Sequence, residues 1–362
     1  MRASIARLGS STSSVLLSVL LLACSAEPDT APTTKTDAAE RSQTISVECK
    51  SDDAVDATVR EEVETRARAL LQDLREGRLD PLWEELHPQA RNEGQREAFM
   101  EALRAMQQRS AMTPGESVVD RVHLVSIEGG SNDLAKAQCG APDDPDRFTL
   151  LVNAGDEDVA VVILLSARGT VETATTIQLR KRGDRWRLLG IQVNPSRYRG
   201  KGAAAYEIAA DVYMRERKVL VGYLLLGLAQ TLSDRGAAVE SALHDRIEEK
   251  IGAIQRDKLF ERETGTWTLG DARFQIEDVS LVATGAEISP VIKYVSPQGL
   301  VKDLLDQDAD ALVEEVRRRF PELAKHFDAV VFEAYAESPK EPGRSYQAYR
   351  VVRYLDPTQR RG

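Results

Sequence analysis

The residues best suited to covalent or metal chemistry in this 362-residue chain are three cysteines and four histidines. Such chemistry needs several side chains to converge on one atom, so catalytic and metal-binding sites repeat short, fixed spacings. The sequence has no CxxC pair and no HExxH, GxSxG or GxGxxG segment, and its histidines, at positions 87, 123, 244 and 326, are scattered. The sequence therefore predicts no metal site and no bound cofactor.

Three acids at alternate positions, Asp306, Asp308 and Asp310, follow the spacing that opens a calcium-binding loop. That loop needs glycine at its sixth position and glutamate at its twelfth, where the sequence has Ala311 and Arg317. We interpret the acids as the start of a helix, because negative charge there complements the positive end of the helix dipole.

The overall charge argues against one class of partner. The chain carries a formal net charge of −10. A short basic run at 317–319 lies on a predicted helix, where a solvated face is the usual role. Because an acidic surface repels phosphate backbones, no nucleic-acid partner is expected.

The first 23 residues are typical of an export signal. Arg2 and Arg7 supply positive charge, and the apolar residues 15–22 are too few to span a bilayer as a helix. The overlapping segment LLAC at 21–24 resembles the lipobox of bacterial lipoproteins. That resemblance implies cleavage before Cys24 and lipid attachment to its sulfur and its new amine, which makes the lipid bilayer a partner through acylated Cys24.

Residues 24–45 are predicted to be a disordered tether. Positions 25–44 lack aromatic and large aliphatic side chains, so they bury too little apolar surface to offset the entropy of ordering. In the class of lipoproteins that the signal resembles, aspartate after the cysteine favours the inner membrane, and this chain has Ser25. We therefore expect the cell envelope, and in an organism with two membranes the outer one, facing the periplasm or the surface.

Two cysteines remain after Cys24. Because an even number in an oxidising compartment is typical of paired thiols, we expect a disulfide between Cys49 and Cys139, with two free thiols as the alternative. Cys49 precedes the first predicted helix, and Cys139 is placed in a loop rich in glycine, proline and aspartate. Both positions suit a surface bridge.

Residues 46–200 predict an α+β domain of helices packed on a curved antiparallel sheet. Helical spacing marks three helices before residue 110, and alternation marks strands from 118 to 193. The last hairpin, TTIQLRKRGDRWRLLGIQVNP, has a predicted bulge at Gly190 and ends at Pro195. This order and this hairpin resemble the nuclear-transport-factor-two-like fold, which includes ketosteroid isomerases and polyketide cyclases. The resemblance implies a cone-shaped pocket between helices and sheet.

Trp83, His87 and His123 are the residues that this resemblance brings to the pocket. A histidine buried there could act as a general acid or base. The structural alternatives are also open: His87 precedes Pro88 near a helix end, which favours a capping or surface role, and His123 lies in a strand on which it can face solvent.

Residues 201–260 are predicted to form a helical connector. Its first two helices have the spacing of one tetratricopeptide-type hairpin, with a turn near 217–218, and a third helix is predicted over 237–259. A single copy of that repeat does not build a solenoid, so we expect a packing hairpin between two domains.

Residues 261–358 predict a second, smaller α+β domain. The segment around Trp267 suggests a turn, and a helix over 309–327 should kink or break at Pro321. Four strands are expected, at 273–282, 288–295, 329–335 and 346–354.

These features together predict an envelope-anchored lipoprotein that acts as a binding or assembly module. Its expected ligand is an envelope protein or a small apolar molecule, and no catalytic residue is assigned. One alternative is an isomerase-like or cyclase-like enzyme that uses the N-terminal pocket. The other is a structural partner that docks through the helices of residues 203–235.

Overall fold

The computed structural model describes residues 46–111, 116–128, 134–140, 147–153, 157–168, 170–284, 287–339 and 344–358. The predicted signal, the tether and Cys24 lie outside these residues. Within the described ranges, no helix is both long enough and apolar enough to cross a membrane.

Seven α-helices are described in these ranges. Asp56 caps the first, accepting hydrogen bonds from the backbone N–H groups of Thr58 and Val59, and Ser241 caps the sixth by accepting one from His244. The helices are α1 (Ala57–Arg75), α2 (Leu79–Glu84), α3 (Arg96–Ala111), α4 (Ala203–Arg215), α5 (Val219–Ser233), α6 (Ala242–Arg256) and α7 (Lys302–Arg319).

Fourteen strands are described alongside them. They are β1 (Ser46–Ser51), β2 (Val118–Glu128), β3 (Leu134–Cys139), β4 (Phe148–Asn153), β5 (Val159–Arg168), β6 (Val171–Arg182), β7 (Arg185–Tyr198), β8 (Lys201–Gly202), β9 (Val239–Ser241), β10 (Gly265–Leu269), β11 (Ala272–Thr284), β12 (Glu287–Val295), β13 (Ala329–Tyr335) and β14 (Ala348–Tyr354).

The N-terminal part confirms the predicted α+β class. Six strands form an antiparallel sheet in the order β1-β2-β5-β6-β7-β8, which curls into a half-barrel. Helices α1, α2 and α3 cover one face, and their apolar stripes bury Leu70, Leu103 and Leu74 completely. The register of β6 and β7 shifts beside Gly190, as the predicted bulge requires.

The other face of this sheet carries a layer that the sequence does not indicate. Strands β3, β4 and β9 form a second antiparallel sheet, and its apolar residues pack against Val125, Ile127 and Val161 of β2 and β5. Because β9 is the short strand just before α6, that helix begins at Ala242 rather than at the predicted residue 237.

The connector helices and the C-terminal sheet share one apolar core. The sheet has the order β10-β11-β12-β13-β14, with β12 and β13 parallel and joined through α7. Leu225 and Leu228 of α5 and Phe332 of β13 are fully buried in the same cluster, which also takes in Val171 and Tyr198 from the first sheet. The predicted hairpin of α4 and α5 is confirmed, with its turn at 216–218.

Two strand predictions are corrected by edge pairing. Strand β7 continues through Pro195 to Tyr198. On its other side, β8 pairs only with the last two residues of β7, so no strand there needs a backbone N–H from Pro195. Trp267 lies in β10 rather than in a turn, opposite Phe274, with its ring 1 % exposed.

The last long helix also differs from the prediction. Helix α7 begins at Lys302 and ends before Phe320, and Pro321 starts a short 3₁₀ turn, so the proline breaks the helix as expected. The acids at 306, 308 and 310 therefore lie inside the helix and not at its start. Asp306 and Asp310 form ion pairs with Arg353 of β14, which gives two of the three acids a structural role.

Candidate functional site

The interior between the N-terminal helices and the sheet is occupied by the protein's own side chains. Trp83 of α2 is only 2 % exposed and packs against Phe99 with ring centroids 5.5 Å apart. The guanidinium groups of Arg91 and Arg96 cover the ring at 5.5 and 6.0 Å from its centroid. Trp83 is therefore a core residue capped by two cations, and it does not line an open apolar pocket.

His87 is buried, with 4 % exposure, which corrects the predicted surface role. The reason is a pair of backbone hydrogen bonds that ties its segment to β7: His87 N–H donates to Leu188, and Leu188 N–H donates to Glu85. The His87 ring then lies beside Glu157, with Nε2 3.1 Å from the carboxylate Oε2.

Both ring nitrogens of His87 have neighbours. Nδ1 accepts a hydrogen bond of 3.3 Å from the backbone N–H of Gln89, and Nε2 lies close to the carboxylate of Glu157 in a geometry that is poorly aligned for a hydrogen bond. Glu157 also lies 3.3 Å from Nε of Arg180, which is 1 % exposed. Burial lowers the pKa of His87, and the charge of Glu157 opposes that shift.

An open cleft of about 510 Å³ lies next to this cluster. Leu86 and Pro88, the neighbours of His87 that follow α2, form part of its wall. The rest is charged: four arginines and two glutamates line it, namely Arg91, Arg182, Arg185, Arg187, Glu84 and Glu93. We call this feature the arginine cleft.

The arginines of the cleft differ in their partners. Arg91 pairs with Glu84 and Glu93, at 3.1 and 3.0 Å. Arg187 pairs with Glu85 at 2.8 Å. Arg91 thus faces two carboxylates, whereas Arg187 shares the single carboxylate of Glu85 with Arg66.

The side chains of Arg182 and Arg185 make no ion pair or hydrogen bond among the described residues. They lie directly opposite each other across β6 and β7, on either side of the turn at Gly183, and both are exposed. Like charges placed opposite each other destabilise a hairpin. The tip of the hairpin therefore presents two arginine side chains without an ion-pair partner among the described residues at the cleft, with the exposed carboxylate of Asp184 between them in the turn.

His123 lies on the other face of the sheet, away from Trp83 and His87, so the structure does not bring the three candidates together. Its ring is 1 % exposed, which corrects the predicted solvent-facing position. The cause is the β3-β4-β9 sheet, whose Phe148 packs edge-on against the ring at 5.7 Å. Burial lowers the pKa of His123 to about 4, so the ring is neutral near neutral pH.

The disulfide between Cys49 and Cys139 is present. It joins β1 to the end of β3, and Cys139 is buried, with 1 % exposure, rather than in a surface loop. The loop prediction was wrong because the strand 134–139 precedes the glycine and proline residues instead of being part of them.

The chain matches no protein-family model, no curated protein and no solved structure. The arginine cleft was not predicted, although its signal is present in the sequence. The segment LRKRGDRWR places five basic residues around one tight turn, and alternation was used there only to find the hairpin.

Proposed function

We propose that this protein is an exported, lipid-anchored binding module of the bacterial envelope, attached through Cys24, which captures an acidic partner in the arginine cleft. The chemical class bound is a carboxylate or phosphate group. The observation that carries the proposal is that Arg182 and Arg185, which line the cleft and lie opposite each other, have no ion-pair partner among the described residues.

The anion preference follows from the charges of the cleft. Guanidinium groups bind carboxylates and phosphates through two parallel hydrogen bonds, which gives both affinity and orientation. An anion between Arg182 and Arg185 would also relieve their mutual repulsion, a gain that an isolated arginine does not offer. Because both groups are exposed, we expect only about 1 kcal/mol from each contact, and therefore a modest, salt-sensitive affinity.

The envelope location is supported by two independent features. The first is the lipobox-like segment at 21–24. The second is the disulfide between Cys49 and Cys139, since such bonds persist in exported proteins and are rare in reducing compartments.

Binding is favoured over isomerase-like or cyclase-like catalysis by the state of the N-terminal domain. The space that would hold an apolar substrate is filled by Trp83, Leu103 and their neighbours. In His87, Nδ1 already accepts a hydrogen bond from the backbone N–H of Gln89, which in the neutral ring puts the proton on Nε2. His87 therefore offers no free lone pair to a substrate.

A second candidate is docking through α4. Ile208 and Val212, one helical turn apart, are 66 % and 38 % exposed, and Ala204 and Ala205 extend this apolar strip. Exposed apolar surface of this kind favours contact with a protein partner. Docking through α4 would also make the protein an assembly module, but through a surface other than the arginine cleft.

The proposal is tested by calorimetric titration of the protein with inorganic phosphate, with succinate, and with phosphatidylcholine vesicles with or without anionic phosphatidylglycerol. These probes separate a free anion, a carboxylate and a lipid headgroup. We expect binding of at least one probe to weaken steeply between low and high salt.

Charge-removing variants supply the control. Arg182→Ser with Arg185→Ser should abolish the binding, whereas Arg256→Ser with Arg273→Ser, which removes the same charge from exposed sites on α6 and β11, should leave it unchanged. Equal binding by both double variants, or binding of none of the probes by the wild type, would show that the cleft is not an anion site.

A further inference from the structure

We infer that Cys49, Cys139 and His123 form a metal site when the two cysteines are in the thiol form, and that the ion is thiophilic, with Zn²⁺ the best fit. The disulfide and the metal are then two alternative occupants of one position. The inference does not depend on the arginine cleft, which involves none of these three residues.

Three strands bring the side chains together. Cys49 is on β1, His123 is on the neighbouring β2, and Cys139 ends β3 on the sheet that covers them. One ligand atom from each of the three residues lies within 4.8 Å of the other two. Two thiolates and one imidazole are a ligand set that Zn²⁺ accepts, with a fourth position left for water or a neighbouring oxygen.

His123 has the environment of a metal-binding histidine. Its Nδ1 is hydrogen-bonded to the hydroxyl of Ser51 at 2.8 Å, a contact that fixes the ring orientation. Its Nε2 is buried and has no hydrogen-bond partner among the described residues. A buried polar atom without a partner is costly, and a bound ion near the ring offers a reason for retaining it.

Charge and access are also suitable. Two thiolates balance the charge of Zn²⁺, so the occupied site adds no net charge to a buried position. Cys49 is half-exposed, and an ion can enter from its side although Cys139 and His123 are buried.

The metal-bound thiolates and the disulfide interconvert by thiol–disulfide exchange. Each new chain carries thiols, and binding of Zn²⁺ by Cys49 and Cys139 releases two protons. To re-form the disulfide from the metal-bound state, one thiolate attacks an oxidising disulfide and forms a mixed disulfide with one of its sulfurs. The second thiolate then attacks the cysteine sulfur of that mixed disulfide and displaces the sulfur of the oxidant. Two electrons pass to the oxidant, which leaves as two thiols after taking up two protons, and Zn²⁺ is released.

The test is titration of the reduced full chain, in detergent and without oxygen, with Co²⁺ as a spectroscopic substitute for Zn²⁺. We expect one Co²⁺ per chain, with the sulfur-to-metal absorption of thiolate ligation, and its displacement by Zn²⁺. The oxidised chain should give no such absorption. Ser51→Ala, which removes the group orienting the ring, should weaken binding by about 10–100-fold.

His123→Leu decides whether the histidine is a ligand, and it should weaken binding more than Ser51→Ala does. His326→Leu is the matched control, because His326 is a half-buried histidine whose pKa burial also lowers to about 4, but it lies against Tyr213 in the C-terminal half. Equal Co²⁺ affinity in wild type and His123→Leu would overturn the inference.

Folding of the reduced chain is covered by a second measurement. If reduction loosens the protein, metal binding should restore structure, so Zn²⁺ should raise the melting temperature of the reduced wild type and not that of His123→Leu. The inference would also be overturned if Zn²⁺ left the melting temperature of the reduced wild type unchanged and Co²⁺ gave no thiolate absorption.

Discussion

Opening the bond between Cys49 and Cys139 should strongly lower the free energy of unfolding. The two residues are 90 positions apart, so the bond closes a long loop in the unfolded chain. The loop-entropy relation gives about 4.6 kcal/mol at 25 °C for a loop of this length. Since domains are typically stable by about 5–15 kcal/mol, the bond is expected to supply a large part of the stability of the region that it joins.

The structure indicates which region would respond. The sheet of β3, β4 and β9 has only three strands, and the bond fastens one end of it to β1. Core residues of the C-terminal half, such as Phe332, belong to another cluster. Reduction should therefore remove hydrogen-exchange protection first from β3 and β4, while β12 and β13 keep theirs.

The assay is guanidinium unfolding followed by circular dichroism, comparing the oxidised wild type, the reduced wild type with a chelator, and Cys49→Ala with Cys139→Ala. The reduced wild type keeps both sulfurs, so its difference from the oxidised protein isolates the cross-link, and the chelator removes any bound metal. A free energy of unfolding that falls by less than about 1 kcal/mol on reduction would refute the loop argument.

Three further predictions concern other parts of the chain. Burial raises the pKa of Asp308 above its ordinary 3.8, although the hydrogen bond from the Ser296 hydroxyl opposes the shift. The folded state therefore holds this proton more tightly, and the free energy of unfolding falls as pH rises from below 3.8 through the raised value. Asp308→Asn should flatten that slope in urea unfolding between about pH 3 and 8, and an unchanged slope would contradict this prediction. Leu225→Ala should lower the free energy of unfolding by about 2–5 kcal/mol, measured by thermal and denaturant unfolding. Because α5 and the C-terminal sheet share one core, both should lose stability together, and independent melting of the two would count against that core. Cys24→Ala should move the protein from the detergent phase to the aqueous phase or leave its signal uncleaved, and unchanged partitioning would argue against the lipid anchor.

Local periodicity predicted most elements because each buries one face. The stripe Val63, Ala67, Leu70 and Leu74 predicts α1, and all four residues are buried. Pro321 predicts the break after α7 for a purely local reason, the loss of a backbone donor and a steric clash.

Features that depend on distant pairing were missed. Strands β3 and β9 are short, and β3 acquires its buried side only because it packs on β1 and β2. The burial of His123 depends on that same layer, so no pattern within β2 distinguishes it from a solvent-facing residue.

The candidate sites were hidden for the same reason. The proposed metal site takes Cys49, His123 and Cys139 from three different strands, and motif spacing detects only ligands that are close in sequence. The arginine cleft needs the segment after α2 to meet the β6–β7 hairpin, a contact made through Leu188 and His87.

The β6–β7 hairpin has a consequence for the order of assembly. Its tip forms one wall of the arginine cleft, and its base places Val171 and Tyr198 in the core of the C-terminal half. Its contacts are local, so it can form early, before partners distant in sequence arrive. We therefore expect the first half to serve as a template: Tyr198, whose backbone carbonyl accepts a hydrogen bond from the Tyr206 hydroxyl, would present a ready-made surface on which α4 and α5 condense. A fragment that begins at residue 201, and so lacks the hairpin, should accordingly fold more slowly than a fragment that begins at residue 171 and keeps it.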